Sequence, residues 1–320
     1  MSDTFVSTLN AAAAGYGYLQ SIITRREKVY GMPPALGIEL TNFCNLRCPQ
    51  CNSGSGLMTR ERGFMSMQLF EKILEETGRY LLNINLYFQG EPMMHPAFFD
   101  ILDRCGNLRS TLSTNGHFLS AENSAKLVRS GLGTLLISLD GMDQETYSLY
   151  RVNGNLGTVK EGIMNMAEAK KQFGKGPRLI IQFLVNRYNE HQAGEAKEFA
   201  VKAGALFRLK SMQIIREGSH HEWLPLKRRH SRYDKDGKSY SVKGGLPDRC
   251  ARLWFNPVIT WDGKVVPCCF DKNAEYIMGD LNGQTFREIW EGDRYSKFRQ
   301  GILSGRKSID ICRNCISGIR

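Results

Sequence analysis

Nine cysteines are the residues of this 320-residue chain best suited to chemistry, and most of them are clustered. Cys44, Cys48 and Cys51 lie within the eight residues of CNLRCPQC. Three thiolates in one loop can converge on a single metal centre, and soft thiolates select iron–sulfur clusters, zinc or copper(I). A four-iron cluster held by three cysteines would keep one iron open for a further ligand. A zinc site with a remote fourth ligand, or thiols without a metal, fits the same spacing.

A second group of cysteines lies in the last third of the sequence. It consists of two residues with 17 others between them and a Cys-x2-Cys pair, namely Cys250, Cys268, Cys312 and Cys315. Four thiolates arranged two plus two can hold zinc or a four-iron cluster, and spacing alone does not decide between them. Cys269 and Cys105 are left over. Cys105 lies in a predicted helix, where we expect it to be a small buried apolar residue.

The elements that must position these residues alternate between strand and helix. About six units of a strand followed by a helix fit between residues 36 and 215, with RLIIQFLV the clearest strand and MSMQLFEKILEETGRYL the clearest amphipathic helix. Such alternation predicts an α/β fold with a parallel sheet and right-handed crossovers. Six units are fewer than the eight of a complete barrel, so a partial (β/α)6 TIM-like barrel or an open sheet is expected.

Polar residues follow the predicted strands at their carboxyl ends, where the active site of such a fold belongs. Cys44 follows the first strand. The next three strands are followed by Gln89-Gly90-Glu91-Pro92, Ser113-Thr114-Asn115-Gly116 and Ser138-Leu139-Asp140-Gly141. Each of these residues, taken singly, could also be a turn former or a helix cap.

The Cys-x3-Cys-x2-Cys loop after a first strand resembles the signature of the radical S-adenosylmethionine (SAM) superfamily, over about Gly37 to Ile215. The resemblance implies that Cys44, Cys48 and Cys51 bind a [4Fe–4S] cluster whose open iron is chelated by the amino and carboxylate groups of SAM. The reduced cluster gives one electron to SAM, the C–S bond breaks, and a 5′-deoxyadenosyl radical abstracts a substrate hydrogen. An external reductant such as flavodoxin or ferredoxin is then expected.

The same resemblance assigns cofactor-binding residues. The family's Gly-Gly-Glu-type motif, which binds the methionine amino group, is matched by Gln89, Gly90, Glu91 and Pro92, with Gln in place of the first Gly. The polar residues that contact the ribose or carboxylate are matched by Ser113, Asn115, Ser138 and Asp140. Arg151 resembles the arginine that meets the SAM carboxylate, although taken alone it would be a surface ion pair. QFLVNRYNEH resembles the stretch near the adenine.

The second cysteine group resembles the SPASM/twitch extension, in the pattern Cys-x12-Gly-x4-Cys…Cys-x2-Cys and in the segments ITWDGKVVPCCFD and GQTFREIWEGDRYSKFR. The resemblance implies one auxiliary [4Fe–4S] cluster on Cys250, Cys268, Cys312 and Cys315, because full SPASM domains carry about seven cysteines and two clusters. Cys269 could replace Cys268 as ligand, pack against its neighbours, or donate a hydrogen atom to a substrate radical as a catalytic residue. The predicted domains are a lead-in (1–35, short helix or loose chain), the partial barrel (36–216), a basic linker or loop (217–245) and the auxiliary cluster domain (246–320).

The net charge of +11 is concentrated in part in residues 227–243, which hold seven cations and two anions. Such a run is expected to be a solvated loop, with His220, His221 and His230 also in solvent. The alternative is a site for an anionic substrate, a phosphate or an acidic lipid surface.

No base-stacking aromatic motif is visible, so a nucleic-acid partner is not expected. No apolar run approaches ~18 residues and no secretory signal precedes the first strand, which predicts a cytoplasmic protein with reduced thiols.

The predicted function is that of a radical SAM oxidoreductase or epimerase acting on a small hydroxylated metabolite such as a sugar or cyclitol. The four-cysteine spacing resembles the twitch domain of aminoglycoside-pathway radical dehydrogenases, in which the auxiliary cluster can accept a second electron. In an epimerase, Cys269 would quench the radical instead.

A peptide maturase that forms crosslinks or oxidises a side chain is the alternative. Only about 35 residues precede the first strand, fewer than the ~80-residue precursor-recognition domain that many maturases carry. A non-catalytic iron–sulfur electron carrier is a second alternative, but it would need no SAM pocket.

Overall fold

The structure is a computed structural model that describes residues 3–237 and 239–315. Its α-helices are α1 (Asp3–Thr24), α2 (Asn52–Ser55), α3 (Met67–Thr77), α4 (Phe98–Arg104), α5 (Ala121–Arg129), α6 (Gln144–Tyr150), α7 (Leu156–Phe173), α8 (Ala193–Lys202), α9 (His220–Trp223), α10 (Arg252–Phe255), α11 (Phe286–Glu291), α12 (Asp293–Gly305) and α13 (Asp310–Arg313). Its strands are β1 (Ala35–Ile38), β2 (Asn83–Asn85), β3 (Ser110–Thr114), β4 (Thr134–Ser138), β5 (Arg178–Val185), β6 (Leu206–Ser211), β7 (Tyr233–Asp236), β8 (Ser239–Val242), β9 (Val258–Ile259), β10 (Lys264–Val266) and β11 (Gly279–Asp280). The six predicted strands are β1 to β6, which confirms the α/β fold class.

The chain divides into two compact units built from separated segments. The first contains the described residues of Met1–Asn42, Thr59–Phe88 and Gly244–Arg320, and the second contains those of Phe43–Met58 and Gln89–Lys243. The three-cysteine loop therefore belongs to the second unit and the four-cysteine group to the first. The domain boundaries drawn from the sequence follow chain order and stay a prediction.

The first unit holds a sheet in which β1 is central. Strand β2 pairs with β1 in parallel, with Leu36 opposite Ile84, and β9 pairs with its other side, with Gly37 opposite Val258. Strands β10 and β11 extend this sheet in antiparallel fashion. The turn from β9 to β10 contains Gly263 at φ +87°, a left-handed conformation that favours glycine. This turn closes the antiparallel hairpin of β9 and β10.

The second unit holds the parallel strands β3, β4, β5 and β6 in that order. Strands β4 and β5 are mostly buried, as expected for strands covered on both faces, whereas β6 at the edge of the sheet is largely exposed. Helix α7 contributes Val159, Ile163 and Met166, which recur at helical spacing and are fully buried. Ser120 caps the start of helix α5, where its Oγ accepts a hydrogen bond from the Asn123 backbone N–H at 3.1 Å.

Two segments differ from the sequence-based prediction. The lead-in forms the 22-residue helix α1 instead of a short or loose segment. The predicted basic loop contains helix α9 and an antiparallel hairpin of β7 and β8, with Tyr233 opposite Val242; Lys238 lies outside the described residues. The hairpin has an apolar face because the His220 ring stacks on Tyr240 at 4.6 Å and meets Tyr233 at 5.0 Å, between ring centroids.

The prediction of a solvated His220 was therefore wrong, because this half-buried ring lies between two tyrosines. Burial lowers its pKa. His221 is exposed and His230 is half-buried. Among the helices that the structure describes, none has the length and apolar character of a membrane span.

Candidate active site

The three-cysteine loop is packed into the core of the second unit. Cys48 is 4% exposed and belongs to a buried cluster with Leu46 and Tyr150, and Cys44 and Cys51 pack against that cluster. Burial is the main reason why the pKa of Cys48 rises to about 12 and that of Cys44 to about 11. The thiols therefore stay protonated until a cationic centre replaces their protons, and binding such a centre releases those protons.

Arg151 brings a positive charge to this loop. It follows α6, and its Nη1 donates to Cys48 Sγ at 3.7 Å. Its Nε and Nη2 both lie 2.5 Å from Asp140 Oδ2. Burial opposes the guanidinium charge, but Asp140 and the nearby Cys48 hold the pKa of Arg151 well above its ordinary value. Arg151 is thus a mostly buried, oriented cation at a cysteine sulfur, and not the surface ion pair that the residue alone would suggest.

Asp140 acts through Arg151. Its carboxylate is fully buried, and besides the arginine it accepts a hydrogen bond from the Leu184 backbone N–H at 2.7 Å. Asn189 Nδ2 donates to the Asp140 carbonyl at 2.9 Å. These contacts fix the turn after β4 and aim the arginine at Cys48. A direct contact between Asp140 and the ribose or carboxylate of a cofactor stays a prediction.

Glu91 fastens the segment after β2 to the end of β3. Its side chain is buried and accepts hydrogen bonds from Thr114 Oγ1 at 2.8 Å, from the Asn115 N–H at 2.7 Å and from the Met93 N–H at 3.2 Å. Burial is the largest cause that raises the Glu91 pKa, to about 7, although the three hydrogen bonds oppose the rise. The Glu91 N–H also donates to the Phe43 carbonyl at 2.7 Å, immediately before the cysteine loop.

Gln89 and Gly90 are held by a residue that sequence reasoning missed. Ser53, in α2, accepts a hydrogen bond from the Gly90 N–H at 2.9 Å and donates to Gln89 Oε1 at 3.4 Å. Gly90 has φ +74°, so glycine is favoured there, and Pro92 starts a short 3-10 turn. The small residues of NSGSG, directly after the third cysteine, were the available signal.

Asn115 joins the end of β3 to the cysteine loop. Its Nδ2 donates to Asn45 Oδ1 at 2.7 Å and contacts Cys44 Sγ at 3.9 Å, while its Oδ1 accepts from the His117 N–H at 3.0 Å. Asn45 and His117 were not singled out from the sequence. Ser113 is half-buried on β3 and Ser138 is half-buried at the end of β4, and their cofactor contacts stay predictions.

The QFLVNRYNEH stretch turns back onto this site. Asn189 Oδ1 accepts a hydrogen bond from the Asn186 backbone N–H at 2.8 Å. The Tyr188 ring packs edge-on against the Trp223 ring, with 5.4 Å between the ring centroids, in the core around Cys48. The Nδ2 of Asn186 is buried and has no hydrogen-bond partner among the described residues. A buried donor without an acceptor costs free energy, so this atom fits a ligand that offers one, such as an adenine ring nitrogen.

The second cysteine group surrounds a small cavity in the first unit. Its lining includes Cys250, Cys268, Cys312 and Cys315, all buried. Among the described residues no three metal-binding side chains converge on a single ion. The four thiols instead border one cavity, an arrangement that suits a cluster in which each thiolate binds a different iron.

Two guanidinium groups also line this cavity, those of Arg252 and Arg306. The Nε atoms of both are buried without a partner in the described part of the chain. Burial raises the Cys312 pKa to about 11, and Arg306, which is hydrogen-bonded to that thiol, opposes the rise. Four thiols beside two buried cations form a site for an anionic group, and an iron–sulfur cluster with four thiolates is such a group.

The two leftover cysteines have different surroundings. Cys269 does not belong to the described lining of the cavity, and its Sγ accepts from Arg252 Nη1 at 3.4 Å. This geometry supports Cys268 over Cys269 as a ligand, whereas a catalytic role for Cys269 stays a prediction. Cys105 is 6% exposed, and its Sγ donates to the Ile101 carbonyl at 3.5 Å, which confirms it as a buried small residue.

Comparisons with known proteins agree with this arrangement. The family model of the radical SAM superfamily matches residues 38–200, and that of SPASM, an iron–sulfur cluster-binding domain, matches residues 250–316. The tungsten-containing aldehyde ferredoxin oxidoreductase cofactor-modifying protein of Pyrococcus furiosus is 26% identical over 317 residues, covering 88% of this chain and 86% of that protein. Mycofactocin maturase MftC of Mycolicibacterium smegmatis is 29% identical over 326 residues, covering 92% and 78%.

Two solved structures show the same fold. The structure of Streptococcus suis SuiB bound to S-adenosylmethionine has a TM-score of 0.65 and 16% identity, covering 90% of this chain and 73% of SuiB. The structure of BtrN in complex with AdoMet and 2-DOIA has a TM-score of 0.58 and 18% identity, covering 90% of this chain and 94% of BtrN. These likenesses confirm the predicted fold class, including its small iron–sulfur domain.

Proposed function

The chain belongs to the radical SAM superfamily and carries a SPASM domain, and from that premise we propose that it cleaves SAM reductively and abstracts a hydrogen atom from its substrate. The superfamily domain binds a [4Fe–4S] cluster and SAM, and the SPASM domain binds auxiliary iron–sulfur clusters. The first cluster supplies one electron to the SAM sulfonium, which releases methionine and a 5′-deoxyadenosyl radical. The observation that carries the proposal is the buried Arg151 that Asp140 aims at Cys48.

In this proposal Cys44, Cys48 and Cys51 hold the SAM-binding cluster. Arg151 supplies the positive charge for the SAM carboxylate, because a guanidinium can serve a carboxylate and a neighbouring sulfur at once with its five donors. Asp140 keeps that guanidinium in place during binding. The Asp140 carboxylate offsets the free-energy cost of taking the guanidinium charge out of water. The arginine is therefore already in place when the cofactor binds.

Glu91 is a positioning residue in this account. Its two carboxylate oxygens accept hydrogen bonds from Thr114, Met93 and Asn115. It therefore presents the backbone of Gln89 and Gly90 to the methionine amino group, and does not itself reach out to the cofactor. Ser53 braces the same backbone from the cysteine loop.

Asn186 is our candidate for the adenine. Its Nδ2 is the buried donor without a partner, and the same stretch is tied to Asp140 through Asn189. An acceptor nitrogen of the base would satisfy that donor. Ser113, Asn115 and Ser138 complete the proposed set as contacts to the ribose or carboxylate.

We place the auxiliary [4Fe–4S] cluster on Cys250, Cys268, Cys312 and Cys315. The supporting observation is the cavity that these four thiols line together with two unsatisfied guanidinium nitrogens. A cluster there would supply an acceptor for one electron from the substrate radical. Because all four ligand positions come from the protein, this centre would have no open iron for SAM.

For the substrate, we propose a small hydroxylated metabolite such as a sugar or cyclitol, which is oxidised or epimerised. In the oxidation, the hydrogen atom on carbon goes to the 5′-deoxyadenosyl radical, the hydroxyl proton goes to a base, and the second electron goes to the auxiliary centre, leaving a carbonyl. The four-thiol cavity supports this choice, and the fold of BtrN, solved with 2-DOIA, is matched over 94% of its length.

Peptide modification is the second candidate. The similarity to mycofactocin maturase MftC over 92% of this chain favours it, as does the fold shared with SuiB, which has been solved bound to precursor peptide SuiA. For either substrate we propose a flavodoxin or ferredoxin as reductant. We also propose a cytoplasmic location, where cluster-binding thiols stay reduced.

Anaerobic reconstitution with iron and sulfide, followed by dithionite reduction, tests the proposal. We expect 5′-deoxyadenosine from SAM, and we expect Arg151→Gln to weaken SAM binding by about 10- to 100-fold, measured by equilibrium dialysis. Arg208→Gln, at an exposed position on β6, is the matched control and should bind SAM normally. Unchanged SAM binding in Arg151→Gln would refute the assignment of the arginine.

A substrate screen separates the two candidates. Deuterated polyols and sugars, and peptides with deuterated side chains, are supplied in parallel, and deuterium in 5′-deoxyadenosine is measured by mass spectrometry. Transfer from a polyol alone supports the metabolite, and transfer from a peptide alone supports the second candidate.

A further inference from the structure

Helix α1 exposes an apolar face that no described residue of its own unit covers. Five large side chains on this face, Phe5, Leu9, Tyr16, Leu19 and Ile23, are each at least half exposed, from 50% for Phe5 to 78% for Ile23. The opposite face is buried and anchors the helix, with Ser7, Ala14, Gly17, Tyr18 and Ser21 turned inward. The helix is thus fixed to the protein on one side and apolar on the other. Single exposed apolar residues are common, but a continuous row of this length marks an interaction surface.

The spacing of the row is that of a helix-pairing seam. Its members, with the exposed Ala12 included, are residues 5, 9, 12, 16, 19 and 23, which follow one another by 4, 3, 4, 3 and 4 positions. This alternation is the a/d pattern of a coiled coil, in which the apolar positions recur every 3.5 residues on average. We call these six residues the α1 stripe. A partner that matches it is another α-helix of similar length.

The charges near α1 favour a protein partner over a membrane surface. Asp3 is the single charged residue between Asp3 and Thr24, and Arg25 and Arg26 follow directly after the helix. A helix that lies in a lipid interface carries lysines and arginines along its polar face. Helix α1 has none there, so its apolar face lacks the flanking cations that anionic lipid would select.

The stripe is also symmetric when read in reverse. The sequence of spacings 4, 3, 4, 3, 4 is a palindrome, so an antiparallel second copy brings Phe5 opposite Ile23, Leu9 opposite Leu19, and the small Ala12 opposite the large Tyr16. The same register brings Asp3 opposite Arg25 of the other copy, so opposite charges meet at both ends. Antiparallel helix dipoles add to this complementarity. A parallel pair would instead place like charges together at each end.

We propose that the α1 stripe is a homodimer interface in which two copies of this chain pair their α1 helices in antiparallel fashion about a two-fold axis. The contact is isologous, as in most homodimers, because the same patch serves both copies. Five side chains exposing roughly 100 Å² each would bury about 1,000 Å² over the two copies, which is near the lower limit for a specific interface. Tyr30, 52% exposed and stacked on Tyr16 at 5.5 Å between ring centroids, extends the patch.

Sedimentation velocity and light scattering on the reconstituted full chain test the proposal. We expect a concentration-dependent mass of twice 36.2 kDa. Leu9→Lys/Leu19→Lys should be a monomer, with a dimer dissociation constant raised by at least about 100-fold, because lysines would face lysines across the pair. Both positions are exposed in the monomer, so iron content and SAM cleavage report that the variant is folded.

A charge-pair variant tests the orientation. In Leu9→Lys/Leu19→Glu an antiparallel pair places each lysine opposite a glutamate and keeps the dimer, whereas a parallel pair places like charges opposite each other and falls apart. Val201→Lys is the matched control at an exposed apolar position outside α1, and it should stay dimeric. A wild-type chain that is monomeric at 100 µM would overturn the proposal. So would a monomer that binds anionic vesicles through Leu9 and Leu19, or a dimer that the Lys/Lys variant leaves intact.

Discussion

The two cysteine centres of this protein differ in what surrounds their sulfurs. At the three-cysteine loop the cation Arg151 is oriented by a buried carboxylate, and polar residues from the ends of β3, β4 and β5 converge nearby. At the four-cysteine cavity two guanidiniums face the thiols, and the rest of the described lining is largely apolar, including Leu253 and Phe298.

We interpret this contrast as the difference between a centre that binds a ligand and one that exchanges electrons. In our proposal, three thiols would leave one iron open for SAM, which the polar groups that converge there would bind. Four thiols would occupy every iron of the auxiliary cluster, and the two cations would stabilise its reduced, more negative state.

The largest expected effect comes from Cys48→Ala. Formation of 5′-deoxyadenosine should fall below detection, and the iron content should drop by about one cluster, because one thiolate of the open centre is gone. Iron analysis and liquid chromatography with mass spectrometry measure both. Cys105→Ala is the matched control, since Cys105 is buried outside both centres. Retained cleavage in Cys48→Ala would erase the distinction between the two centres.

Cys312→Ala should abolish substrate turnover but spare part of the SAM cleavage, the reverse of the dependence expected for the open centre. It should lose about one cluster's worth of iron and all substrate turnover, yet keep at least about a tenth of SAM cleavage without substrate, because the open centre is intact. Cys269→Ala serves as control and should keep full iron content, because Cys269 does not belong to the described lining of the cavity. If Cys269→Ala loses iron while Cys268→Ala does not, the ligand assignment is reversed.

Asp140→Asn tests the positioning of Arg151. Removing one partner of a buried ion pair leaves an uncompensated charge, which costs about 3–5 kcal/mol of unfolding free energy. We also expect KM for SAM to rise by about tenfold with a smaller change in kcat, because Arg151 keeps its charge but loses the carboxylate that orients it. Asp234→Asn, whose partner Arg228 is exposed, is the control and should change stability by less than about 1 kcal/mol. A loss of stability without any change in KM would reduce Asp140 to a structural role.

The smallest expected effect comes from Glu91, in the pH dependence of the free energy of unfolding. Its pKa is raised from 4.5 to about 7 in the folded protein, so the folded state holds the proton more tightly than the unfolded state. The stability that this provides is present below pH 4.5 and is lost as the pH rises through 7. Glu91→Gln cannot titrate. We therefore expect the stability advantage of wild type over Glu91→Gln, from urea unfolding, to shrink by about 1–3 kcal/mol between pH 5 and pH 8. A constant difference would contradict the raised pKa.

Local signals predicted much of the fold. The run RLIIQFLV became β5 with the same ends, because a continuous apolar segment of strand length fits a strand covered on both faces. The position of the site's polar residues at the carboxyl ends of the strands followed from the rule that active sites of parallel α/β folds lie there.

Long-range contacts could not be read from the sequence. The ion pair between Asp140 and Arg151 requires α6 to fold back onto the end of β4, and the support from Ser53 requires α2 to meet the segment after β2. The basic segment was expected to be a loop because of its charge, yet His220, Tyr233 and Tyr240 supply an apolar face that makes a hairpin. The length of α1 was missed because alanine and threonine give weak boundary signals.

Reductive cleavage of SAM tests the central claim most directly. The anaerobically reconstituted chain, reduced with dithionite and given SAM alone, should carry about eight irons and release 5′-deoxyadenosine and methionine in equal amounts. Cys48→Ala should release neither, and Cys312→Ala should release both. A wild-type chain that binds both clusters but leaves SAM intact would contradict the proposed function. That result would favour the alternative of a non-catalytic electron carrier.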